Sequence, residues 1–176
     1  HLVSAQGGSG NSLFNLDLNG SLTSNAVFDF ESNDSLSIRV QVKDEFNATT
    51  EGNFTVSISN VNEAPVITQG PGPISLTVTE DSSLSYDLNA TDVDAGSTLT
   101  WSVTGAASNG TASIDSSTGV FSYSPNADFN GSDSATVDVS DSELSASLVI
   151  NLTVTPVNDA PVITQGNGPL SYILNE

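Results

Sequence analysis

The sequence contains no cysteine, no methionine and, in 176 residues, only two basic side chains, Arg39 and Lys43. Without cysteine there is no disulfide to staple a small fold and no thiolate to hold a soft metal. With so few cations there is no cluster of Lys and Arg to neutralise phosphates, which argues against a nucleic-acid partner and against an anionic membrane surface. The one histidine is His1, so no catalytic triad can form around an oriented internal imidazole, and the chain does not read as an enzyme. No apolar run approaches the roughly 20 residues that span a bilayer, so membrane insertion by this segment is not expected. Nor is there a signal-peptide pattern; the chain opens in mid-pattern, as an internal piece of a longer protein would. The run Gly7-Gly8-Ser9-Gly10 lacks the Lys-Ser/Thr of a phosphate loop and reads as a hairpin turn.

What is abundant is acid. Asp and Glu number 21, which leaves a formal charge of -19 at pH 7. Charged residues nevertheless make up only 13% of the chain and hydrophobic ones 36%, a composition that can bury a core rather than stay disordered. The charge must be screened or neutralised, and divalent cations are the partner that remains.

The apolar residues alternate with polar ones, as in Leu36–Val42, Phe54–Ile58, Leu99–Val103 and Leu148–Val154. That period of two marks half-buried strands. Gly, Asn, Asp and Ser clusters recur about every ten residues between them, and no segment carries a helical apolar stripe, which predicts an all-β sandwich of immunoglobulin-like type. Strands are expected near 74–79, 84–90, 98–103, 111–115, 119–124, 134–140 and 146–155.

The chain also repeats itself. Val61–Glu80 and Val157–Glu176 share 13 identical positions at an offset of 96, the length of a whole sandwich domain rather than of a solenoid unit. The organisation that follows is residues 1–62, the later part of one module; 63–158, a complete module; and 159–176, the opening strand of a third. The proline in Ala64-Pro65 and Ala160-Pro161 fixes the backbone at each joint and holds the preceding residue extended.

Acidic and amide residues gather at strand ends and at these joints. Around the first joint lie Asp29, Glu31, Asn62, Glu63, Asp92, Asp94 and Asp141; around the second lie Glu80, Asn126, Asp128, Asn158 and Asp159. Aligning Val42-Lys-Asp44 with Val139-Ser-Asp141 sets Asp29-Phe-Glu31 opposite Asn126-Ala-Asp128. In an extended segment residues i and i+2 face one way, so Asp92 and Asp94, or Asp29 and Glu31, can aim two carboxylates at one point. Such residues also make ordinary Asx turns, but their recurrence at the joints favours a hard cation. Calcium takes about six to eight oxygens in loose geometry, whereas magnesium demands a tighter octahedron and zinc wants the thiolate or imidazole this chain lacks.

Several of these segments are similar to the calcium-binding motifs of cadherin repeats: Phe28-Asp-Phe-Glu31, Val42-Lys-Asp44, Asn60-Val-Asn-Glu-Ala-Pro65 and Asp92-Val-Asp94. The next module, with Thr79-Glu-Asp81, Tyr123–Gly131 and Pro156–Pro161, resembles the tandem cadherin-like repeats of large bacterial surface proteins. The resemblance implies Greek-key sandwiches rigidified by interdomain calcium in an extracellular or cell-surface adhesion or spacer segment. Asp29, Glu31 and Glu63 would then share ions with Asp94, while Asn62, Asp92, Asp94 and Asp141 form the outer site. At the second joint Glu80, Asn126, Asp128 and Asp159 would take the first of those roles. The chain departs from the family pattern at Asn60, where Asp is usual, and at Asn126-Ala127, where Asp and Arg are usual.

The expected partners are calcium, neighbouring repeats and another cell-surface protein or glycan, with homophilic contact left open. A different reading is an accessory carbohydrate-binding module of a secreted multidomain enzyme. It would need exposed aromatic platforms, for which Tyr86, Trp101 and Tyr123 are the candidates.

Overall fold

The computed structural model describes residues 10–161, with 168 and 173. The expected turn at 7–10 therefore lies outside the described residues except for Gly10, as does nearly all of the strand expected in 159–176, Glu176 included.

The same turn chemistry shapes both copies of the repeat. In the first, β1 (Phe14–Leu16) pairs antiparallel with β2 (Leu22–Ser24). The Asp17 side chain accepts the N–H groups of Asn19 and Ser21, and Gly20 sits at φ +86°. In the second copy, Asp115 accepts the N–H groups of Ser117 and Thr118, and Gly119 sits at φ +75°. An Asx turn closed by a left-handed glycine reverses the chain at both places. The next hairpin, β3 (Ser35–Lys43) with β4 (Thr49–Ser57), is turned by Asp44, which accepts from Phe46 and Ala48. A one-turn 3-10 helix at Asn11–Leu13 is the only helical element among the described residues.

Beyond the joint come β5 (Val66–Ile67), β6 (Ile74–Thr79), β7 (Leu84–Asp87), β8 (Ala90–Thr91), β9 (Thr100–Gly105), β10 (Gly110–Ile114), β11 (Val120–Pro125), β12 (Gly131–Ser140) and β13 (Ser145–Thr155). One sheet has the order β6-β13-β12-β9 and the other β10-β11-β7, with β5 and β8 as a separate pair. All neighbours are antiparallel except β6 and β13, which run parallel with Ile74 opposite Ile150. The strict alternation in β13 sends Leu148, Ile150, Leu152 and Val154 inward and leaves Ser147, Val149, Asn151 and Thr153 outside. Facing them are Leu88, Trp101, Phe121, Tyr123, Val137 and Val139, all buried, which makes one continuous core between the sheets.

The expected strand 84–90 is divided. The Leu88 side chain is fully buried and its N–H donates to Gly119 O at 3.0 Å, while Asn89 accepts from Thr68 N–H. The chain thereby leaves β7's sheet, and β8 pairs with β5 instead. Strand β12 starts at Gly131, three residues before the expected 134. Trp101 and Tyr123 are 5% and 1% exposed, so neither is a platform for stacking a sugar. Tyr123 instead donates its hydroxyl proton to Asp133 Oδ2 at 2.9 Å.

Candidate metal centre

The linker after β4 brings the first constellation together. Asp94 Oδ1 accepts the Asn60 side-chain amide at 2.6 Å and its Oδ2 accepts the Glu63 backbone N–H at 2.9 Å. Asn62 donates to Asp141 Oδ2 at 2.8 Å and to Glu63 O at 3.3 Å. Asp141, at the turn between β12 and β13, is 9% exposed and accepts on Oδ1 from Glu143 and Leu144 N–H, each at 2.7 Å. The Leu144 N–H, the Asn62 amide and the Glu143 N–H together hold its carboxyl below the usual carboxylate range.

Glu31 from the upstream module, Glu63 from the linker and Asp94 from the downstream module each offer a carboxylate oxygen, and these lie within 4.8 Å of one another. Oxygens that each stand about 2.3–2.6 Å from a single calcium are separated by at most about 5 Å, so the spacing suits a shared ion. Three like charges so close repel. Desolvation first, then the charges of Glu31, Asp94, Asp29 and Asp92, push Glu63 above its ordinary pKa. The sparse cations lie elsewhere: Arg39 pairs with Glu51 across β3 and β4. An open cleft lined by Phe30, Glu31, Asn60, Val93 and Ala95 gives solvent a path to the seam.

Asp92 and Asp29 divide between turn and site. Asp92 Oδ1 accepts the Asp94 N–H at 2.9 Å, an ordinary Asx contact. Its Oδ2 is buried without a hydrogen-bond partner. A buried carboxylate oxygen costs free energy when nothing compensates it, and a cation is the compensation this donor set accommodates. Asp29 accepts on both oxygens from Ser32, from its side-chain hydroxyl at 2.8 Å and its backbone N–H at 3.2 Å. These bonds lower its pKa. It faces Glu63 electrostatically but lies outside the convergent triad.

At the second joint the corresponding residues are also acidic or amide, but among the described residues no three carboxylates converge there as Glu31, Glu63 and Asp94 do. Glu80 directly follows β6, is 3% exposed, and accepts from the Val157 N–H and, at 3.2 Å, from the Asn130 amide. Asp159 is pushed above its ordinary pKa by desolvation and by the charges of Asp81, Asp128 and Glu80. Asp128, which the sequence aligns with Glu31, is among the charges that raise Asp159, as Glu31 is among those that raise Glu63. Asn158 donates to Asp159 O at 3.3 Å, the counterpart of the Asn62 bond to Glu63 O. Asn126 is exposed, and its backbone bonds Asn109 and Phe129 in a turn. Asp81 is the acidic member of the cluster absent from the expected ligand set; both it and Asp128 take left-handed backbone, at φ 65° and 59°.

A family model described as the bacterial cadherin-like domain matches residues 62–156, more than half of the chain, and the chain belongs to that family. Solved structures agree on the fold. Extracellular cadherin domains 3–6 of protocadherin gamma B2 align at 21% identity over 88% of this chain and 40% of theirs, with a TM-score of 0.58. Mouse cadherin-23 EC22–24 aligns at 20% identity over 89% of this chain and 52% of its own, with a TM-score of 0.57. Human protocadherin-24 EC1–2 aligns at 13% identity over 92% and 81% respectively, with a TM-score of 0.64. The chain spans two fifths of the first of these. No curated protein matches the sequence. No helix among the described residues is long and apolar enough to cross a membrane.

Proposed function

We propose that this chain is a calcium-binding segment of an extracellular adhesion or spacer array, in which ions held at the joints turn linked sandwiches into a rod. The observation that carries the reading is the convergence of Glu31, Glu63 and Asp94, drawn from two modules and their linker, beside the unpartnered buried oxygen of Asp92. Glu31, Glu63, Asp92 and Asp94 would hold the shared ions, with Asn62 and Asp141 on the downstream module and Asp29 at the rim. At the second joint Glu80, Asp128 and Asp159 would serve, supported by Asn126 and Asn158, and we add Asp81 to that set. Bound calcium supplies positive charge where the protein has gathered only negative. Neighbouring repeats are the direct partners; contact with a second cell-surface protein or glycan, homophilic contact included, would use surfaces beyond the joints.

Calorimetric titration of the chain with calcium, beside an Asp92→Ala/Asp94→Ala variant, tests the assignment. Binding heat from the wild type that is lost at the first joint in the variant is expected; equal heats from both would remove these residues from the site.

A further inference from the structure

Two hydrogen bonds hold the Asp94 carboxylate at the first joint. Its Oδ1 accepts the Asn60 side-chain amide at 2.6 Å and its Oδ2 accepts the Glu63 backbone N–H at 2.9 Å. An ionised carboxylate can only accept, so Asn60 must turn its N–H groups, and not its amide oxygen, toward Asp94. Asn60 is itself fixed to the upstream module. Two residues before it, Ile58 donates its N–H to Asp34 O at 2.9 Å and lines a pocket with Leu13, Phe28 and Leu36. Two residues of chain span at most about 7 Å. The bond from Asn60 to Asp94 therefore ties a fixed point on one module to the other.

This tie is particular to the first joint. At the 96-residue offset Asn60 becomes Pro156, which has neither a side-chain amide nor a backbone N–H, although the Val-Asn-acid-Ala-Pro that follows recurs. The amide also stands where the carboxylates of Glu31, Glu63 and Asp94 converge. Its N–H sets partial positive charge against Asp94 in the ion-free protein. A hard cation, however, takes oxygen donors, and here the amide presents hydrogens to an oxygen that such an ion would approach.

The geometry points to Asn60 as an ion-free latch: its amide ties the modules through Asp94 Oδ1 when no cation is present, and calcium must displace it. The first joint then keeps part of its alignment without the ion, and binds the ion less tightly than its carboxylates would if Asn60 did not compete. The competing half rests on the calcium reading above; the tie needs no ion. One exposed hydrogen bond offsets only part of the repulsion among three carboxylates, so the ion still stiffens the joint.

Asn60→Ala separates the roles open to this residue. In calorimetric titration, calcium binding at the first joint is expected to tighten by about three- to tenfold, the heat being assigned to that joint by its loss in Asp92→Ala/Asp94→Ala. In chelator, small-angle scattering of Asn60→Ala is expected to show a wider spread of interdomain angles than the wild type, with the circular dichroism of the sheets unchanged. Weaker binding in Asn60→Ala would make Asn60 a ligand and unchanged binding would make it a bystander; either overturns the latch. Scattering profiles of the two proteins that superimpose in chelator overturn the tie even where calcium binds. No binding heat from either protein overturns the calcium reading and the competing role with it, and the chelator comparison then decides the tie by itself.

Discussion

At the scale of single residues, carboxylates do two kinds of work in this protein, and their hydrogen bonds tell them apart. Asp133 is structural. Burial opposes its ionisation, but the N–H groups of Ser108, Asn109 and Ser134 and the Tyr123 hydroxyl together outweigh that and keep its pKa below the model-compound value of 3.8. Burial, reinforced by the bond to Asp133, pushes the Tyr123 hydroxyl well above its ordinary value. A carboxyl whose pKa is lowered by folding contributes stability that is present above the unfolded value and lost as pH falls through the folded one. Thermal melts of Asp133→Asn should therefore show a loss of about 1–3 kcal/mol at neutral pH, shrinking below pH 3.8, where the wild type loses the same contribution. Gly119 is a second sensitive position: a Cβ there would lie 2.5 Å from Leu88 O and 2.9 Å from Trp101 Nε1, on left-handed backbone. Gly119→Ala should cost more than about 1 kcal/mol by chemical denaturation. Glu63 and Asp159 behave oppositely to Asp133, since desolvation, and then the neighbouring negative charges, raise them. The candidate ligands Glu31 and Glu63 were legible in the sequence because acidic residues recur at the aligned positions Asp128 and Asp159, and Asp94 because it stands two residues from Asp92 in an extended segment. Asp81 was less so, because it sits on left-handed backbone after Glu80 and its charge reaches Asp159 only in the folded chain. The burial of the unpartnered Asp92 oxygen depends on the folded structure, which no local sequence pattern encodes.

At the scale of elements, alternation carried most of the fold. Strands β6 and β13 fall where the period of two places them, because each has one face on the core and one in water. The two-residue strands β5 and β8 are too short to carry a period, and their pairing is set by a contact between distant segments, Thr68 N–H to Asn89 O at 2.8 Å. The same dependence on tertiary context separates equivalent positions in the two copies. Ile150→Ala removes a fully buried side chain and should cost about 2–5 kcal/mol. Phe54→Ala, on the partly exposed face of β4, should cost about 1 kcal/mol or less. Urea denaturation of the two variants compares them, and equal costs would mean that β4 is covered as fully as β13.

At the scale of the whole molecule, ten of the 21 acidic residues stand at the two joints, Asp81 included, so under the proposed function the mechanical state of the array would be tied to what neutralises them. Without a divalent cation the carboxylates of consecutive modules repel across each joint. Monovalent salt screens that repulsion over a Debye length of about 8 Å at physiological ionic strength but does not bridge oxygens. The central claim is that donors from adjoining modules hold one ion between them, and small-angle X-ray scattering of the full chain, in calcium and in chelator at matched ionic strength, tests it most directly. A longer maximum dimension with a narrower spread of interdomain angles in calcium is the predicted result; superimposable profiles under the two conditions would contradict it.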